Sequence, residues 1–347
     1  MRNEEWNNAI VILQRDSEKK MDFYFNKTTI MHLFKCIILS FFLLHNFIIE
    51  AQERYLQEIS ESVKIETYTY ANKEGQNLDL DVYIPGIDTA SQRVVYLFVH
   101  GGGFSGGSRN GVGIQKFCKK IAQRGYVAVS ISYRLTRKGK TSRFGCDCPA
   151  NEKMKTFQAA VEDIHDATSF LIENREKFGI DPDEIILSGS SAGAEAVLNA
   201  AYEPWRIEGK PVIYAGVISF AGAIPDTGVI TKETAIPTFL FHGTCDNLVP
   251  YATAPHHYCD KQTVGYLMLS GSYSIAEKLY QLDKSYWLHT TCGAGHGIAG
   301  SPITDYFSEI IDFCYRFVVL GTNEQIRTVI PGKQGNCIYP KYNFCDN

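Results

Sequence analysis

Apolar runs of four to six residues, interleaved with helix-spaced segments, limit this chain to few folds. They stand at residues 94–99 (VVYLFV), 127–132 (VAVSIS), 185–188 (IILS), 216–220 (GVISF), 238–241 (TFLF) and 286–290 (YWLHT). Continuous apolar runs suit strands buried on both faces, as in a parallel sheet covered by helices. Residues 63–70 (VKIETYTY) and 78–84 (LDLDVYI) instead alternate with a two-residue period and predict a hairpin across 72–76. Phe157, Ala160, Val161, Ile164, Ala167 and Leu171 recur at helical spacing, and Gly179 lies where a C-cap glycine belongs. Further helical patterns fill 192–202, 273–282 and 303–318. This order predicts an α/β fold, a mostly parallel central sheet flanked by helices on both faces. Right-handed crossovers bring the C-terminal ends of the strands to one edge, and in open sheets that edge carries the site.

The N-terminus reads as an export segment. Residues 36–49 (CIILSFFLLHNFII) are apolar, Lys27, His32 and Lys35 precede them, and Ala51 stands where a signal peptidase would cut. The run is shorter than the about 20 apolar residues of a comfortable membrane span. An exported protein with no stable span after cleavage is the expectation, with a membrane anchor as the rival. Met21 or Met31 is an alternative start, and residues 1–30 are expected to carry no fold. The predicted organisation is an extension and signal over 1–51, one catalytic-size α/β domain over 52–322, and a tail over 323–347. Of 347 residues, 45% are hydrophobic and 21% charged, as in an ordinary globular protein. A net charge of −4 gives no electrostatic reason to expect nucleic acid.

Ten cysteines are present, nine of them after the apolar run. Export permits disulfides. No C-x-x-C pair exists, so a structural zinc site is not expected, nor is any other metal or cofactor. The odd count leaves at least one free thiol.

The sharpest local signal is Gly189-Ser190-Ser191-Ala192-Gly193, directly after the run at 185–188 and at the start of a helical segment. A serine in G-x-S-x-G at a strand-to-helix turn sits on a strained elbow that exposes its hydroxyl. The helix N-terminus behind it favours a developing negative charge. A bland alternative is a tight turn built of small residues. The second signal is His100-Gly101-Gly102-Gly103-Phe104, right after the run at 94–99. Successive glycines let backbone N–H groups approach a ligand closely, and two of them with the N–H of Ala192 would make an oxyanion hole. A phosphate cradle would want Lys-Ser/Thr after the glycines, and none is present.

A nucleophilic serine needs a base, and the base an orienting acid. In this architecture they follow in the order acid, then histidine. The run at 238–241 ends in His242-Gly243-Thr244-Cys245-Asp246-Asn247, which puts Asp246 on a loop at the correct edge. The run at 286–290 leads to Gly293-Ala294-Gly295-His296-Gly297, which puts His296 on a loop at the same edge. His242 is expected to support the acid loop. His256 and His257 have no partner in order, and His289 lies within a strand. Asp226 and Asp305 follow no strand at the expected place.

Together these four motifs resemble the hormone-sensitive-lipase-like carboxylesterases and related exported bacterial esterases of the α/β-hydrolase fold, over about residues 65–318. The resemblance implies a triad of Ser191, Asp246 and His296, and backbone donors at Gly102, Gly103 and Ala192. It implies hydrolysis of a small-molecule or carbohydrate ester, with acetyl or feruloyl groups on plant polysaccharides as plausible targets. One departure is that the family often has Asp-Ser-Ala-Gly-Gly at the elbow, where Ser190 and Ala194 stand here. A peptidase of this fold usually carries a large extra domain, for which there is no room. A non-catalytic binding module usually loses a triad member, and here all three positions are filled. An acyltransferase would use the same triad with another alcohol in place of water. The loop 134–156 is expected to cap the acyl pocket, stapled by Cys146 and Cys148, and a Cys245–Cys292 bridge is expected to join the acid and base loops.

Overall fold

The computed structural model describes residues 8–11, 23–26, 54–207, 209–333, 337, 340 and 342–345. The predicted export segment at 36–49, the cleavage site at Ala51 and the alternative starts at Met21 and Met31 lie outside the described residues. The chain divides into two units, Met1–Arg54 and Tyr55–Asn347. Within the first, Asn8–Val11 and Phe23–Asn26 pair as an antiparallel ladder. This corrects the expectation that residues 1–30 carry no fold: Ile10-Val11 and Phe23-Tyr24-Phe25 are strong strand formers.

The second unit is built on nine strands in one sheet. They are β1 (Val63–Lys73), β2 (Gln76–Pro85), β3 (Arg93–Val99), β4 (Val127–Ile131), β5 (Ile180–Ser190), β6 (Gly216–Phe220), β7 (Thr238–Gly243), β8 (Tyr286–Thr291) and β9 (Gln325–Ile330). Across the sheet they run β9-β8-β7-β6-β5-β3-β4-β2-β1. β1 and β2 form the predicted hairpin, and β2 lies antiparallel to β4. All remaining neighbours are parallel.

The apolar runs form the inner strands because both of their faces are covered. Along β3, Val95, Leu97 and Val99 face one core, with Phe157 and Ile164 of α2 (Ala150–Glu173) and Val197 of α3 (Ala192–Tyr202). Tyr96 and Phe98 face the other core, with Phe117 and Ile121 of α1 (Val112–Ala122) and with Ile310 and Phe313. Helices thus cover both faces, which is why β3 is apolar or aromatic from Val94 to Val99. Gly179 has φ +59° just beyond the α2 region and ends a short helical turn.

Part of the predicted tail over 323–347 belongs to the sheet. β9 pairs in parallel with β8 along its whole length and forms an edge of the sheet. Its alternate residues Gln325, Arg327 and Val329 are exposed, as suits an edge strand with one face to solvent. The sequence signal was this alternation, QIRTVI, which is too short and polar to stand out beside the apolar inner strands. Beyond β9, Cys337 bonds to Cys245 and Cys345 to Cys292. A third bridge joins Cys146 to Cys259. The expected Cys245–Cys292 bridge is therefore corrected: each of these loops is tied to the C-terminal segment instead of to the other. Cys146 does not staple its own loop with Cys148 either. Cys148 is a buried thiol, as are Cys118 and Cys314. Among the described residues no helix is long and apolar enough to cross a membrane.

Candidate active site

The site begins where β5 runs into α3. Ser191 links them with φ +52° and ψ −121°, a strained conformation for a non-glycine residue. Its N–H donates to the Phe220 carbonyl at 2.8 Å, so the neighbouring strand β6 holds the turn in place. The two flanking glycines are demanded by space. A Cβ on Gly193 would lie 2.2 Å from the Val99 carbonyl oxygen, and one on Gly189 would lie 2.3 Å from that of Gly193. The elbow is therefore locked sterically between β3 and α3, and the Ser191 hydroxyl is left partly open.

His296 meets that hydroxyl. Its Nε2 is 2.7 Å from Ser191 Oγ, and its Nδ1 is 2.6 Å from Asp246 Oδ2. A carboxylate oxygen only accepts, so Nδ1 carries the proton and donates to Asp246. Nε2 is then the acceptor for the Ser191 hydroxyl. Ser190 adds a strut, its Oγ donating to the Ala299 carbonyl just past His296 at 2.8 Å.

Asp246 is fully buried and accepts four hydrogen bonds. The N–H groups of Leu248 and Val249 donate to Oδ1, each at 2.9 Å. Oδ2 takes His296 and also His242, whose Nε2 is 3.2 Å away. Burial acts to raise its pKa, but the hydrogen bonds from His242 and His296 outweigh it. The carboxyl is held well below the usual carboxylate range. His242, at the end of β7, is positioned in turn by Ser272, whose Oγ is 2.8 Å from its Nδ1. This places His242 as the support of the acid. The other histidine within a strand, His289, stays in the core stacked on Phe241.

Acid and base loops touch. The Cys245 N–H donates to the Ala294 carbonyl at 2.9 Å, and the C-terminal disulfides fasten Cys245 and Cys292 from behind.

A cavity of about 410 Å³ opens over Ser191 and His296. Gly103 and Ala192 line it, so two of the three predicted donors share space with the serine. Gly102, the third, is not among the residues lining the cavity. It has φ +126°, and its carbonyl accepts from Ser105 and Gly106 at 3.1 and 3.0 Å, which makes it the hinge of the tight turn. Tyr133 anchors this loop from below, donating to the His100 carbonyl at 2.8 Å. Phe144 and Gly145 of the loop preceding α2 also line the cavity, as do Glu195, His256 and His257.

Sequence reasoning placed Ser191, Asp246 and His296, and the structure brings them together. It missed Glu195, His256 and His257. Glu195 could have been found by helical spacing: it lies four residues after Ser191, one turn along α3, with its N–H on the Ser191 carbonyl at 3.0 Å. The two histidines could not, because a bridge 113 residues long in sequence, Cys146–Cys259, brings their segment against the loop before α2. Among the described residues no group of side chains is arranged to hold a metal ion.

Comparison with known proteins bears on this geometry. A family model described as BD-FAE matches residues 80–211, a stretch that includes the glycine loop and the elbow. Gut esterase 1 of Caenorhabditis briggsae is 35% identical over 166 residues, which is 47% of this chain and 28% of that protein. Bile salt-activated lipase of Mus musculus is 30% identical over 192 residues, 47% of this chain and 31% of the lipase. The chain thus spans about a third or less of the length of these curated relatives. Esterase 2 of Thermogutta terrifontis has a similar structure, with a TM-score of 0.51, 21% identity, and coverage of 74% of this chain and 93% of the esterase in its propionate-bound form. That esterase has also been solved phosphorylated by paraoxon. The likeness establishes the fold.

Proposed function

We propose that this chain, which has the α/β-hydrolase fold, is a carboxylesterase, a serine ester hydrolase acting through an acyl-enzyme. The observation that carries this reading is the unbroken relay from Ser191 Oγ through His296 to Asp246, opening on a cavity that Gly103 and Ala192 also line. In the first step Ser191 Oγ attacks the ester carbonyl and its proton passes to His296 Nε2. Asp246 stabilises the imidazolium and fixes which nitrogen is basic. The oxyanion is received by backbone N–H groups of the glycine loop and of Ala192, aided by the N-terminus of α3. His296 then protonates the departing alcohol. Water, deprotonated by the same nitrogen, cleaves the acyl-enzyme and restores the serine.

The 410 Å³ cavity suits a short acyl group or one aromatic acyl group rather than a long chain. Acetyl or feruloyl esters of polysaccharides are the substrates we propose on that ground. We also propose that the chain works outside the cytoplasm, a reading supported by three disulfides among the described residues.

A fluorophosphonate probe tests the nucleophile directly. Peptide mapping by mass spectrometry should find one adduct, on Ser191, in the native protein. An adduct elsewhere, or none, would sink the reading.

The disulfides should matter to rate as well as to stability. Reducing Cys245–Cys337 and Cys292–Cys345 frees both loops that carry the acid and the base. Small losses of alignment at such groups are costly in rate. Mild reduction is expected to slow the fluorophosphonate reaction by about ten- to a hundredfold. The Cys337→Ser/Cys345→Ser double variant should match the reduced protein. Equal labelling rates in the reduced and oxidised protein would refute the role of the bridges.

A further inference from the structure

One pair of cavity residues has no place in the acyl-transfer relay. Glu195 and His256 are 2% and 1% exposed, yet both line the cavity over Ser191. Buried polar atoms are almost always hydrogen-bonded. Here, among the described residues, Glu195 Oε1 and His256 Nδ1 have no partner. The two side chains face each other, His256 Nε2 standing 3.6 Å from Glu195 Oε1, too far for a hydrogen bond of full strength.

Their surroundings do not supply the missing partners. Lys153 is the nearby buried cation, but its Nζ donates to the Gly265 carbonyl at 2.8 Å. Phe144 packs edge-on against the His256 ring with centroids 5.1 Å apart, and His257 stands perpendicular to it at 4.4 Å. Asp246 acts on the pair through its charge and is engaged by its own donors. The cavity is the one space that both side chains are seen to line.

Burial, reinforced by Asp246, raises the Glu195 carboxyl well above its ordinary range, and burial keeps His256 neutral. A neutral acid and a neutral imidazole each offer one donor and one acceptor. A hydroxyl group both donates and accepts, and it brings no charge into a buried site. An apolar acyl or alkoxy group would leave both atoms unpaired.

We propose that Glu195 and His256 form a polar floor that hydrogen-bonds a hydroxyl group of the ester substrate. The enzyme is then selective for hydroxylated esters over apolar ones of the same size. The proposal rests on the ester-hydrolase reading above and deepens it by naming the substrate chemistry. The hydroxyl could sit on the alcohol or on the acyl side, and the test separates the two.

Two matched pairs of esters provide it. Glycerol monoacetate against propyl acetate varies the alcohol. Methyl 3-hydroxybutanoate against methyl butanoate varies the acyl group. The wild-type protein is expected to favour the hydroxylated member of one pair by at least about tenfold in kcat/KM, mostly through KM. Glu195→Leu and His256→Phe should each bring that ratio close to one. Glu195→Gln, which keeps a donor and an acceptor, should retain the ratio to within about threefold. A wild-type ratio near one in both pairs overturns the proposal, as does a preference that survives in both Glu195→Leu and His256→Phe. Should Glu195→Leu fail to fold, the wild-type ratio and the His256→Phe ratio decide. Fluorophosphonate labelling of Ser191 runs alongside. A labelled Ser191 with no hydroxyl preference overturns the polar floor alone, whereas an unlabelled Ser191 overturns the hydrolase reading and the floor with it.

Discussion

Ser191→Ala is expected to lower kcat for a short p-nitrophenyl ester by on the order of 10⁴–10⁶. The size follows from what the substitution removes. Ser191 Oγ is the atom that would form the covalent bond to the acyl group, and it sits 2.7 Å from the base that would take its proton. Nothing else on the cavity wall replaces it. Ser105, which also lines the cavity, has its Oγ on the Gly102 carbonyl at 3.2 Å and no histidine against it. The donors at Gly103 and Ala192 survive the change, so a residual rate above the uncatalysed one should persist. Alanine fits the elbow less badly than a larger residue would, though the positive φ remains. Folding is therefore expected to hold, which a thermal melt would check. A variant retaining more than about one hundredth of wild-type kcat would place the nucleophile elsewhere.

Asp246→Asn should cost nearly as much, about 10⁴ in kcat. The carboxylate has two accepting oxygens and four donors around it, two backbone N–H groups on one oxygen and two imidazoles on the other. An amide offers one accepting oxygen. If that oxygen stays with Leu248 and Val249, the amide NH₂ faces both rings. His296 is then driven to the tautomer with its proton on Nε2, where it can no longer accept from Ser191. If the amide turns over, the NH₂ confronts two backbone N–H groups in a fully buried site. Either way an unmatched donor remains, at a typical cost of about 1–3 kcal/mol in stability. The expected result is thus a double loss, in rate and in thermal midpoint. Wild-type kcat in Asp246→Asn would show that the acid does not orient the base.

Much of this was legible from sequence because it is local. Gly189 is forced by a contact within its own strand–turn–helix unit and Gly193 by the close pass of Val99 at the end of β3, and the strand before them is apolar because both of its faces are covered. Asp246 and His296 were reached by counting loops at the ends of apolar runs. The fold class followed from the same runs. The parts that escaped are non-local. Which cysteine meets which depends on the path of the chain through space, so Cys245 was given the wrong partner. β9 escaped because an edge strand needs only one apolar face, and three of its six residues point to water. The polar pair at Glu195 and His256 joins residues 61 positions apart, and no pattern in either segment announces the other. His256 read alone is a histidine with no partner in order, although it is almost wholly buried.

The two bridges from the C-terminal segment carry a consequence for timing. Cys337 and Cys345 come after every strand of the nine-stranded sheet in the chain. During synthesis the elbow, the glycine loop, the acid and the base all leave the ribosome before the sulfurs that fasten them do. Closure then awaits an oxidant, which the reducing interior of a cell withholds. On the reading proposed above, such a chain would be assembled slow and reach its full rate only on arrival, so that the same compartment that holds the substrate also finishes the enzyme.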